Sequence, residues 1–417
     1  MKGVFVMLDG IGDLPCKIFN GKTPLEAAET PNLDFLSKKG ELGYLYSVKQ
    51  GFVPESDEAI VSVFGNSLMN STRGQLEARG TDLKITRGDL AFRANFATID
   101  SLRLRNIVDR RAGRTLTTKE AELLAKDLNK IKMPCGFVFK PLVQHRGVLI
   151  FKGGFSDDIS GNDLSYTKSR ERSATEKIKD IESLDESENS EHTARIVNEF
   201  LKKAFEVLDK HPVNERRKKK GMMPANYLLL RGPGMEAPKL KQYKKWLSIS
   251  YMPLEIGFSK LSGMESFSFN YPRMRKFDVY HNLMKGLKKA CKFSVKILKK
   301  NHKRFDYAYI HIKETDVPGH DNKPLEKKAM VEYLDKKLFK FLRKFADSKN
   351  LKILVTGDHS TPCSLKSHSA NPTPVLLYTP NSENPGTEKR FCERDSVKGK
   401  LGKIVGFELL DKTGFLK

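Results

Sequence analysis

The sequence has few cysteines, a single tryptophan and no long apolar run. Its five cysteines are odd in number, scattered and free of any CxxC pair: Cys16, Cys135, Cys291, Cys363 and Cys392. This pattern argues against a disulfide framework and against a structural zinc site. The first apolar run ends at Asp9, which is too early for a signal peptide, and no later run is long enough to span a membrane. We therefore expect a soluble, cytoplasmic protein with no membrane partner.

Acidic residues are also scarce relative to basic ones. The chain has 51 Asp and Glu against 75 Lys and Arg, which gives a formal net charge of +24. Such a charge attracts nucleic acid, an anionic membrane surface or a phosphorylated metabolite without choosing between them. Aromatic residues do not alternate with basic ones in any recognisable base-stacking module, so a nucleic-acid partner is not expected.

Strand and helix patterns alternate along the 417 residues, which favours an α/β fold with more than one domain. Buried strands are predicted at 4–8, 305–312, 351–356 and 374–378. Amphipathic helices are predicted at 280–300 and 325–346. A further helix is predicted at 24–39, where Pro31 should break or kink it.

The middle of the chain has a different pattern. Predicted strands at 90–99, 147–151 and 226–230 flank helices near 118–130 and 191–209. Residues 156–190 are rich in Ser, Asp, Glu and Lys, so we predict a long mobile loop there. The simplest division is a core domain of residues 1–75 and 273–417, interrupted by an inserted domain of residues 76–272.

Three aspartates follow predicted strands. Asp9 ends the first strand, Asp316 follows the strand at 305–312, and Asp358 follows the strand at 351–356. In an open parallel sheet, ligands bind in the crevice beyond the carboxyl ends of the strands. Three carboxylates that converge there would repel one another unless cations lay between them.

Histidines accompany these aspartates. His320 comes four residues after Asp316, His359 is adjacent to Asp358, and His368 follows nine residues later. A lone Asp after a strand is often only a helix cap, but capping does not explain the joint pattern. Mixed Asp and His ligands suit Mn²⁺ or Zn²⁺ better than Ca²⁺, and a metal pair in such a crevice indicates phosphoryl chemistry.

Ser56 is the candidate nucleophile. Pro54 ends an extended piece, and a helix is predicted to begin directly after it. A hydroxyl at a helix N-terminus faces unpaired N–H groups and the positive end of the helix dipole, which favour both alkoxide and phosphate. Without the metal ligands, a simple N-cap serine would be the better interpretation.

Several stretches of this sequence resemble the archaeal-type 2,3-bisphosphoglycerate-independent phosphoglycerate mutases of the alkaline phosphatase superfamily. The resemblance covers nearly the whole chain and includes every metal-binding motif. The matching stretches are LDGIGDLP, GKTPLEAAETPNLDFLSKKG, PESDEA, RGQLEARG, FRANFATID, IVDRRAGR, HPVNERRKKKG, PANYLLLRGPG, HIKETDVPGHD and TGDHSTPCSLKSHS.

The resemblance implies an α/β fold in which an alkaline-phosphatase-like core, with a mostly parallel sheet, is interrupted by an inserted α/β domain that closes over the site. It also implies two divalent metal ions, with Mn²⁺ preferred and Zn²⁺, Mg²⁺ or Co²⁺ as alternatives. One ion would be held by Asp316, His320 and His368. The other ion would be held by Asp9, Ser56, Asp358 and His359.

The reaction implied is the interconversion of 3-phosphoglycerate and 2-phosphoglycerate in glycolysis and gluconeogenesis, without 2,3-bisphosphoglycerate. Ser56 would take the phosphoryl group, and the glycerate would reorient and recover it on its other hydroxyl. Retaining the glycerate requires cations for its carboxylate, and Arg suits that task. The substrate-binding candidates, all in matched stretches, are Arg93, Asn95, Arg110, Arg111, Asn214, Arg217 and Arg231.

Some positions depart from the family pattern. Glu55 and Ile60, near Ser56, stand where many relatives carry Gly and His, and Asn66-Ser67 replaces a Tyr-Asp pair. The residues FNYPRM at 269–274 stand where a Gly-rich strand end is usual. Three alternatives stay open: a phosphatase of the same superfamily, a mutase of another phosphorylated metabolite, and a catalytically silent relative.

Overall fold

The protein is described here by a computed structural model that covers residues 1–68, 72–163, 177–274, 278–381 and 390–416. Its strands are β1 (Gly3–Leu8), β2 (Glu41–Tyr46), β3 (Leu90–Ile99), β4 (Ile107–Asp109), β5 (Phe137–Pro141), β6 (Arg146–Phe151), β7 (Tyr227–Gly234), β8 (Trp246–Ile249), β9 (Glu265–Phe267), β10 (Tyr307–Ile312), β11 (Lys352–Thr356), β12 (Thr373–Tyr378) and β13 (Gly402–Val405).

The α-helices of the described residues are α1 (Pro24–Ala27), α2 (Pro31–Lys39), α3 (Ser56–Val63), α4 (Arg73–Arg79), α5 (Thr118–Leu128), α6 (Glu188–Asp209), α7 (Pro212–Lys219), α8 (Pro253–Leu261), α9 (Val279–Asn301), α10 (Asp316–His320), α11 (Pro324–Leu334), α12 (Lys340–Lys349), α13 (Glu393–Ser396) and α14 (Leu409–Lys412). Among these, none combines the length and the apolar character that crossing a bilayer requires.

An eight-stranded sheet forms the larger part of the molecule, in the order β13-β2-β12-β11-β1-β10-β8-β9. Only β12 runs antiparallel to its neighbours, β11 and β2, and the remaining pairings are parallel. The predicted α/β fold with a mostly parallel sheet is therefore confirmed. The central strand β1 is buried along its whole length, as parallel strands covered on both faces are.

Side chains of β1 alternate between two hydrophobic clusters because successive residues of a strand point to opposite faces. Val4, Val6 and Leu8 belong to the cluster that includes apolar residues of α2, α9 and α11. Phe5 and Met7 belong to the cluster on the other face, with apolar residues of α3 and α8. The two layers of helices fix the central strands, and with them the loops at the carboxyl ends.

The predicted helices are present with boundaries set by local chemistry. Thr23 and Glu26 form a capping box at the start of α1, and Pro31 begins a separate helix, α2. The prediction that Pro31 interrupts the helix at 24–39 is therefore confirmed. The predicted helix at 325–346 consists of α11 and α12, joined by a π-helical turn at Asp335–Phe339.

The smaller sheet is built by the middle of the chain and is antiparallel. Its order is β4-β3-β6-β5, with β7 also paired to β3. One face of this sheet packs against α5 and α6 through an apolar cluster that includes Phe96, Leu124 and Phe200. Together, β3, β6 and β7 carry basic side chains toward the larger sheet, as described below.

The strand pairing differs from the predicted end of the insertion. That end was predicted at 272, but β8 and β9 pair with β10 in the larger sheet. The segment that builds the smaller sheet therefore ends between β7 and β8, and residues 246–267 belong with the larger sheet. The β8 run Trp246–Ile249 is short and apolar, so its sequence does not tell which of two sheets it joins.

For the polar segment at 156–190, in which a mobile loop is predicted, the structure describes the two ends. Its described ends pack against the smaller sheet, with Ile159, Ile178 and Ile181 buried and an isolated bridge between Ile159 and Ser183. These three isoleucines supply apolar contacts with the smaller sheet, although the rest of the segment is polar. The centre of the predicted loop, 164–176, lies outside the described residues.

Candidate active site

The carboxyl ends of three neighbouring parallel strands bring the three aspartates together. Asp9 follows β1, Asp316 begins α10 after β10, and Asp358 follows β11. Gly10 allows the close approach, because its φ is +60° and an added Cβ would lie 2.7 Å from Asp316 Oδ1. The Gly10 N–H donates to Asp358 Oδ1 at 2.9 Å. The loop after β1 is thus shaped to hold all three carboxylates in one place.

One group of potential metal ligands consists of Asp316, His320 and His368. Asp316 Oδ2 is 3.3 Å from His320 Nε2, and Asp316 Oδ1 is 3.8 Å from His368 Nε2. Burial raises the pKa of Asp316, but the imidazoles outweigh it and hold that pKa well below its usual range. Asp316 is therefore a carboxylate at neutral pH.

A second group consists of Asp9, Asp358 and His359, with Ser56 beside it. His359 Nε2 is 3.5 Å from Asp9 Oδ1, 3.3 Å from Asp358 Oδ2 and 3.3 Å from Ser56 Oγ. Burial lowers the pKa of His359 to about 3. The imidazole is therefore neutral at pH 7 and offers a nitrogen lone pair.

Each of the three imidazoles is anchored through its outer nitrogen. His368 Nδ1 is 2.9 Å from the Pro54 carbonyl oxygen, and His320 Nδ1 is 3.1 Å from the Lys366 carbonyl oxygen. His359 Nδ1 is 3.1 Å from Thr361 Oγ1. A carbonyl can only accept, so in His320 and His368 the proton sits on Nδ1. This leaves Nε2 free to bind a metal, as second-shell partners of metal-ligating histidines do.

The donor set fits two divalent cations. Asp9 Oδ1 and Asp358 Oδ2 are buried and have no hydrogen-bond partner among the residues that the structure describes. Buried carboxylate oxygens without a partner are costly, and a cation between them removes that cost. Carboxylate and imidazole donors together suit Mn²⁺ or Zn²⁺. The Asp316 group and the Asp9 group each have the donors to hold one ion.

Lys313 is a site residue that the sequence analysis missed. It follows β10 directly and forms ion pairs with Asp9 and with Glu255 Oε1, the latter at 2.9 Å. Burial raises the pKa of Glu255 to about 8. His311, inside β10, is buried and has Nε2 3.3 Å from Asp9 Oδ2. Lys313 could have been found, because it occupies the same strand-end position as the aspartates.

Ser56 is the first residue of α3, and its side chain is buried beside His359. The N-cap residue is Glu55, so Ser56 does not have the capping role that offered the simplest alternative. The hydroxyl lies at the positive end of the helix dipole, next to the second group of ligands. Its surroundings are those of an activated nucleophile.

A cavity opens above Ser56 and is lined by both parts of the molecule. The larger sheet contributes Ser56, Lys313, Asp316, His320 and His368. Across the cavity stand four predicted substrate-binding residues of the inserted segment: Arg93, Asn95, Arg111 and Arg231. Asn95 Oδ1 accepts from Arg93 Nη2 at 3.0 Å and so orients that guanidinium group.

Four further residues of basic types line the cavity, and the sequence analysis did not select them. They are Arg73, Arg114, His145 and Arg146. Arg114 Nη1 donates to Asp321 Oδ2 at 2.7 Å and thereby links the inserted segment to the residue after α10. Burial and the neighbouring arginines hold the pKa of His145 well below its usual range, so this imidazole is neutral. Arg73 and Arg114 lie in matched stretches, whereas the sequence around Arg146 carried no signal.

Three predicted substrate-binding residues are absent from the described residues that line the cavity: Arg110, Asn214 and Arg217. Arg110 forms an ion pair with Asp163. Asn214 is fully buried, and its Nδ2 donates to the carbonyl oxygens of Leu208 and Ala225. These polar contacts are with neighbours within the smaller part of the molecule, so the role of the three residues in substrate binding stays a prediction that no described cavity contact supports.

Arg217 is the more deeply buried of the two arginines among these three residues. Its side chain is 0% exposed. Its guanidinium group donates to the carbonyl oxygens of Met223 and Ala112, and to Thr115 Oγ1 at 2.7 Å. This arginine holds the turn after α7 against the loop before α5. A motif identifies the residue type, but only the structure tells whether the side chain faces a cavity or a backbone turn.

Known proteins resemble this chain along its whole length. A family model described as 2,3-bisphosphoglycerate-independent phosphoglycerate mutase matches residues 37–214. A protein of that name from Pyrococcus furiosus is 38% identical over 98% of this chain and 95% of its own length. Its namesake from Aeropyrum pernix is 35% identical over 99% of both chains.

Solved structures show a similar fold. A protein of Pyrococcus horikoshii, at 31% identity, superposes with a TM-score of 0.74 over 99% of this chain and 97% of its own. The cofactor-independent phosphoglycerate mutase of Thermoplasma acidophilum, at 27% identity, gives a TM-score of 0.56 over 100% of both chains. The fold of the whole chain, including the smaller sheet, thus has experimental counterparts.

Proposed function

Since the chain belongs to the family of 2,3-bisphosphoglycerate-independent phosphoglycerate mutases, an isomerase family, we propose that it interconverts 3-phosphoglycerate and 2-phosphoglycerate through a phosphoserine on Ser56. The observation that carries the proposal is the shared cavity. Ser56 and the two ligand groups form its floor, and arginines of the inserted segment form its opposite wall. This wall is what a mutase needs and a simple phosphatase does not.

The need follows from the reaction. A phosphoserine exposed to water would be hydrolysed, so the enzyme must exclude solvent and keep the glycerate in the site. A glycerate carboxylate is held best by guanidinium groups, which bind it through two parallel hydrogen bonds. Arg111, Arg146 and Arg231 line the cavity and are suited to this task.

The residues act in two half-reactions. Ser56 Oγ gives up its proton and attacks the phosphorus of 3-phosphoglycerate. The bond from phosphorus to the C3 oxygen breaks, that oxygen takes up a proton, and glycerate is left beside a phosphoserine. The arginines keep the glycerate while it turns in the cavity. Its C2 hydroxyl then attacks the phosphoserine, which restores Ser56 and gives 2-phosphoglycerate. The helix dipole of α3 favours negative charge at Ser56 throughout.

When bound, two divalent ions, with Mn²⁺ preferred, would supply a lower pKa for the serine hydroxyl and neutralisation of charge on the phosphoryl oxygens. Asp316, His320 and His368 would hold one ion, and Asp9, Ser56, Asp358 and His359 the other. We propose no role for 2,3-bisphosphoglycerate. A cytoplasmic location and a role in glycolysis and gluconeogenesis accompany this proposal.

The test follows the conversion of 3-phosphoglycerate by protein that has been stripped with a chelator and then restored with Mn²⁺. Coupling to enolase detects 2-phosphoglycerate, and a parallel assay measures free phosphate. Ser56→Ala removes the nucleophile, and Ser62→Ala, a buried serine of the same helix, serves as the matched control.

We expect metal-dependent isomerisation with little phosphate release, lost in Ser56→Ala and kept in Ser62→Ala. Phosphate release without isomerisation would instead make the protein a phosphatase. Pentose phosphates test for a different substrate. Isomerisation of one of them would leave the phosphoserine mechanism as proposed but would change the proposed substrate.

A further inference from the structure

A carboxylate lies on the wall of the cavity, next to the candidate nucleophile. Glu55 precedes Ser56, and its Oε2 is 3.3 Å from Arg231 Nη1 and 3.4 Å from Arg73 Nη1. Its Oε1 is 3.5 Å from His368 Nδ1. The carboxylate of Glu55, which is paired with two guanidinium groups, therefore faces a cavity that has to receive anions.

Glu55 belongs to a compact group of charges that we call the Glu55 cluster. Its members are Arg73, Arg93 and Arg231 together with Glu55, Asp57 and Glu77. Arg73 is already paired with Asp57 Oδ1 at 2.8 Å and with Glu77 Oε1 at 2.9 Å. Glu77 is also paired with Arg93.

The formal charges of the Glu55 cluster sum to zero, since three guanidinium groups face three carboxylates. Asp57 and Glu77 suffice to hold Arg73 in place, so Glu55 is not needed for that purpose. The carboxylate of Glu55 instead contacts Nη1 of both Arg231 and Arg73, which are donors of the kind that bind an anion. Without its charge, the cluster would carry a net charge of +1.

We propose that Glu55 is a specificity-determining residue, whose carboxylate offsets the charge of Arg73 and Arg231 and so weakens the binding of free inorganic phosphate beside Ser56. The inference rests on the proposed function, in which a phosphoryl group reaches Ser56. A phosphoglycerate also carries a carboxylate, for which Arg111, Arg114 and Arg146 provide further cations in the same cavity. Free phosphate has no second anionic group and depends on the cations nearest Ser56.

The experiment measures the affinity of inorganic phosphate by calorimetric titration of the full chain loaded with Mn²⁺. The variants are Glu55→Gln and Glu55→Ala. The matched control is Glu58→Gln in the first turn of α3, the helix that Glu55 precedes. Glu58 Oε2 accepts from the Glu55 N–H at 2.9 Å, a bond that glutamine can replace. Burial raises the pKa of Glu58 to about 7, so titrations at about pH 8.5 compare two ionised carboxylates. The metal content of each variant is measured and used to normalise its titration.

We expect both Glu55 variants to bind phosphate about ten-fold more tightly than the unaltered protein, with the difference shrinking at high salt. Glu58→Gln should stay within about two-fold. Equal or weaker binding by the Glu55 variants, an equal gain in Glu58→Gln, or no phosphate binding by any of the proteins would overturn the inference. The titration requires no turnover. Failure of the mutase assay would therefore contradict the proposed function without deciding whether Glu55 weakens the binding of phosphate.

Discussion

Single arginines of the inserted segment differ in what surrounds their guanidinium groups. Arg217 is buried among backbone carbonyl oxygens, with Glu120 Oε2 at 3.2 Å. Arg146 borders the cavity, and burial together with neighbouring positive charge lowers its pKa. A buried guanidinium group that satisfies a turn stabilises the fold, whereas one that faces a cavity is available to a ligand.

The contrast between these two arginines leads to a prediction. Arg217→Met should lower the free energy of unfolding by about 3 kcal/mol, because it leaves several carbonyl oxygens and Glu120 without their partner. The KM for 3-phosphoglycerate of the remaining folded protein should stay within about two-fold. Arg146→Met should raise that KM about ten-fold or more and change the free energy of unfolding by less than about 1 kcal/mol.

Urea unfolding followed by circular dichroism and the enolase-coupled assay measure the two quantities. The reverse pattern, in which Arg217→Met mainly raises the KM for 3-phosphoglycerate, would mean that Arg217 belongs to the substrate site.

Helix α11 stabilises two of the loops that carry candidate metal ligands. Lys327 is 0% exposed, and its Nζ donates to the Gly12 carbonyl oxygen at 3.1 Å, to Asp13 Oδ2 at 2.8 Å and to the Thr361 carbonyl oxygen at 3.0 Å. Gly12 lies in the loop of Asp9, and Thr361 lies in the loop of His359. One ammonium group thus fixes the spacing between the ends of β1 and β11.

A carboxyl group on α13 supports the same loop from the other side. Glu393 Oε1 accepts from the Asp13 N–H at 3.0 Å, and Glu393 Oε2 accepts from Thr23 Oγ1 at 2.7 Å. Burial raises the pKa of Glu393 from 4.5 to about 7. The folded protein therefore holds a proton on Glu393 at pH values where the unfolded chain has lost it.

The sign of the pH effect follows from this shift. A raised folded-state pKa contributes stability that is fully present below pH 4.5 and is lost as the pH rises through about 7. Glutamine at this position cannot ionise. Between about pH 5 and 8, the unfolding free energy of Glu393→Gln should therefore rise by about 2 kcal/mol relative to that of the unaltered protein. Urea unfolding of both proteins across this range checks the prediction, and a constant difference would contradict it.

The whole molecule brings two sheets to one cavity, and the ligand groups lie where they meet. Asp9, Asp316 and Asp358 come from distant parts of the sequence but from adjacent strands. Without cations, the folded protein holds these carboxylates close together, which disfavours the folded state relative to the unfolded one. Metal binding should therefore stabilise the whole fold.

Metal removal tests this expectation. Restoring Mn²⁺ at about one hundred times its Kd to chelator-stripped protein should raise Tm by about 5 °C or more, since each site adds about 2.7 kcal/mol. Asp358→Asn, which weakens one ligand group, should show a smaller rise. The double variant Asp316→Asn with Asp358→Asn should show almost none. Differential scanning calorimetry measures the Tm, and an undiminished rise in the double variant would mean that Mn²⁺ binds elsewhere.

Local sequence patterns predicted the strands β1, β10 and β11 and identified the aspartates and histidines that the structure brings together, and the family resemblance divided them between two ion sites. These features depend on short stretches of chain, in which apolar runs form buried strands and polar residues follow at their ends. The same reasoning did not show that β8 joins the larger sheet, and it overlooked Lys313 and Arg146. Sheet membership and side-chain direction depend on partners far away in sequence, such as β10 for β8.

The sequence by itself determined the α/β alternation, the break at Pro31 and the residue types available for metal and phosphate. Each of these follows from local backbone chemistry or from the chemistry of single side chains. Only the tertiary structure decided which arginines face the cavity, that Arg217 serves a turn, and that Glu55 lies against Arg73 and Arg231. The physical reason is that charges interact through space, and folding sets those distances.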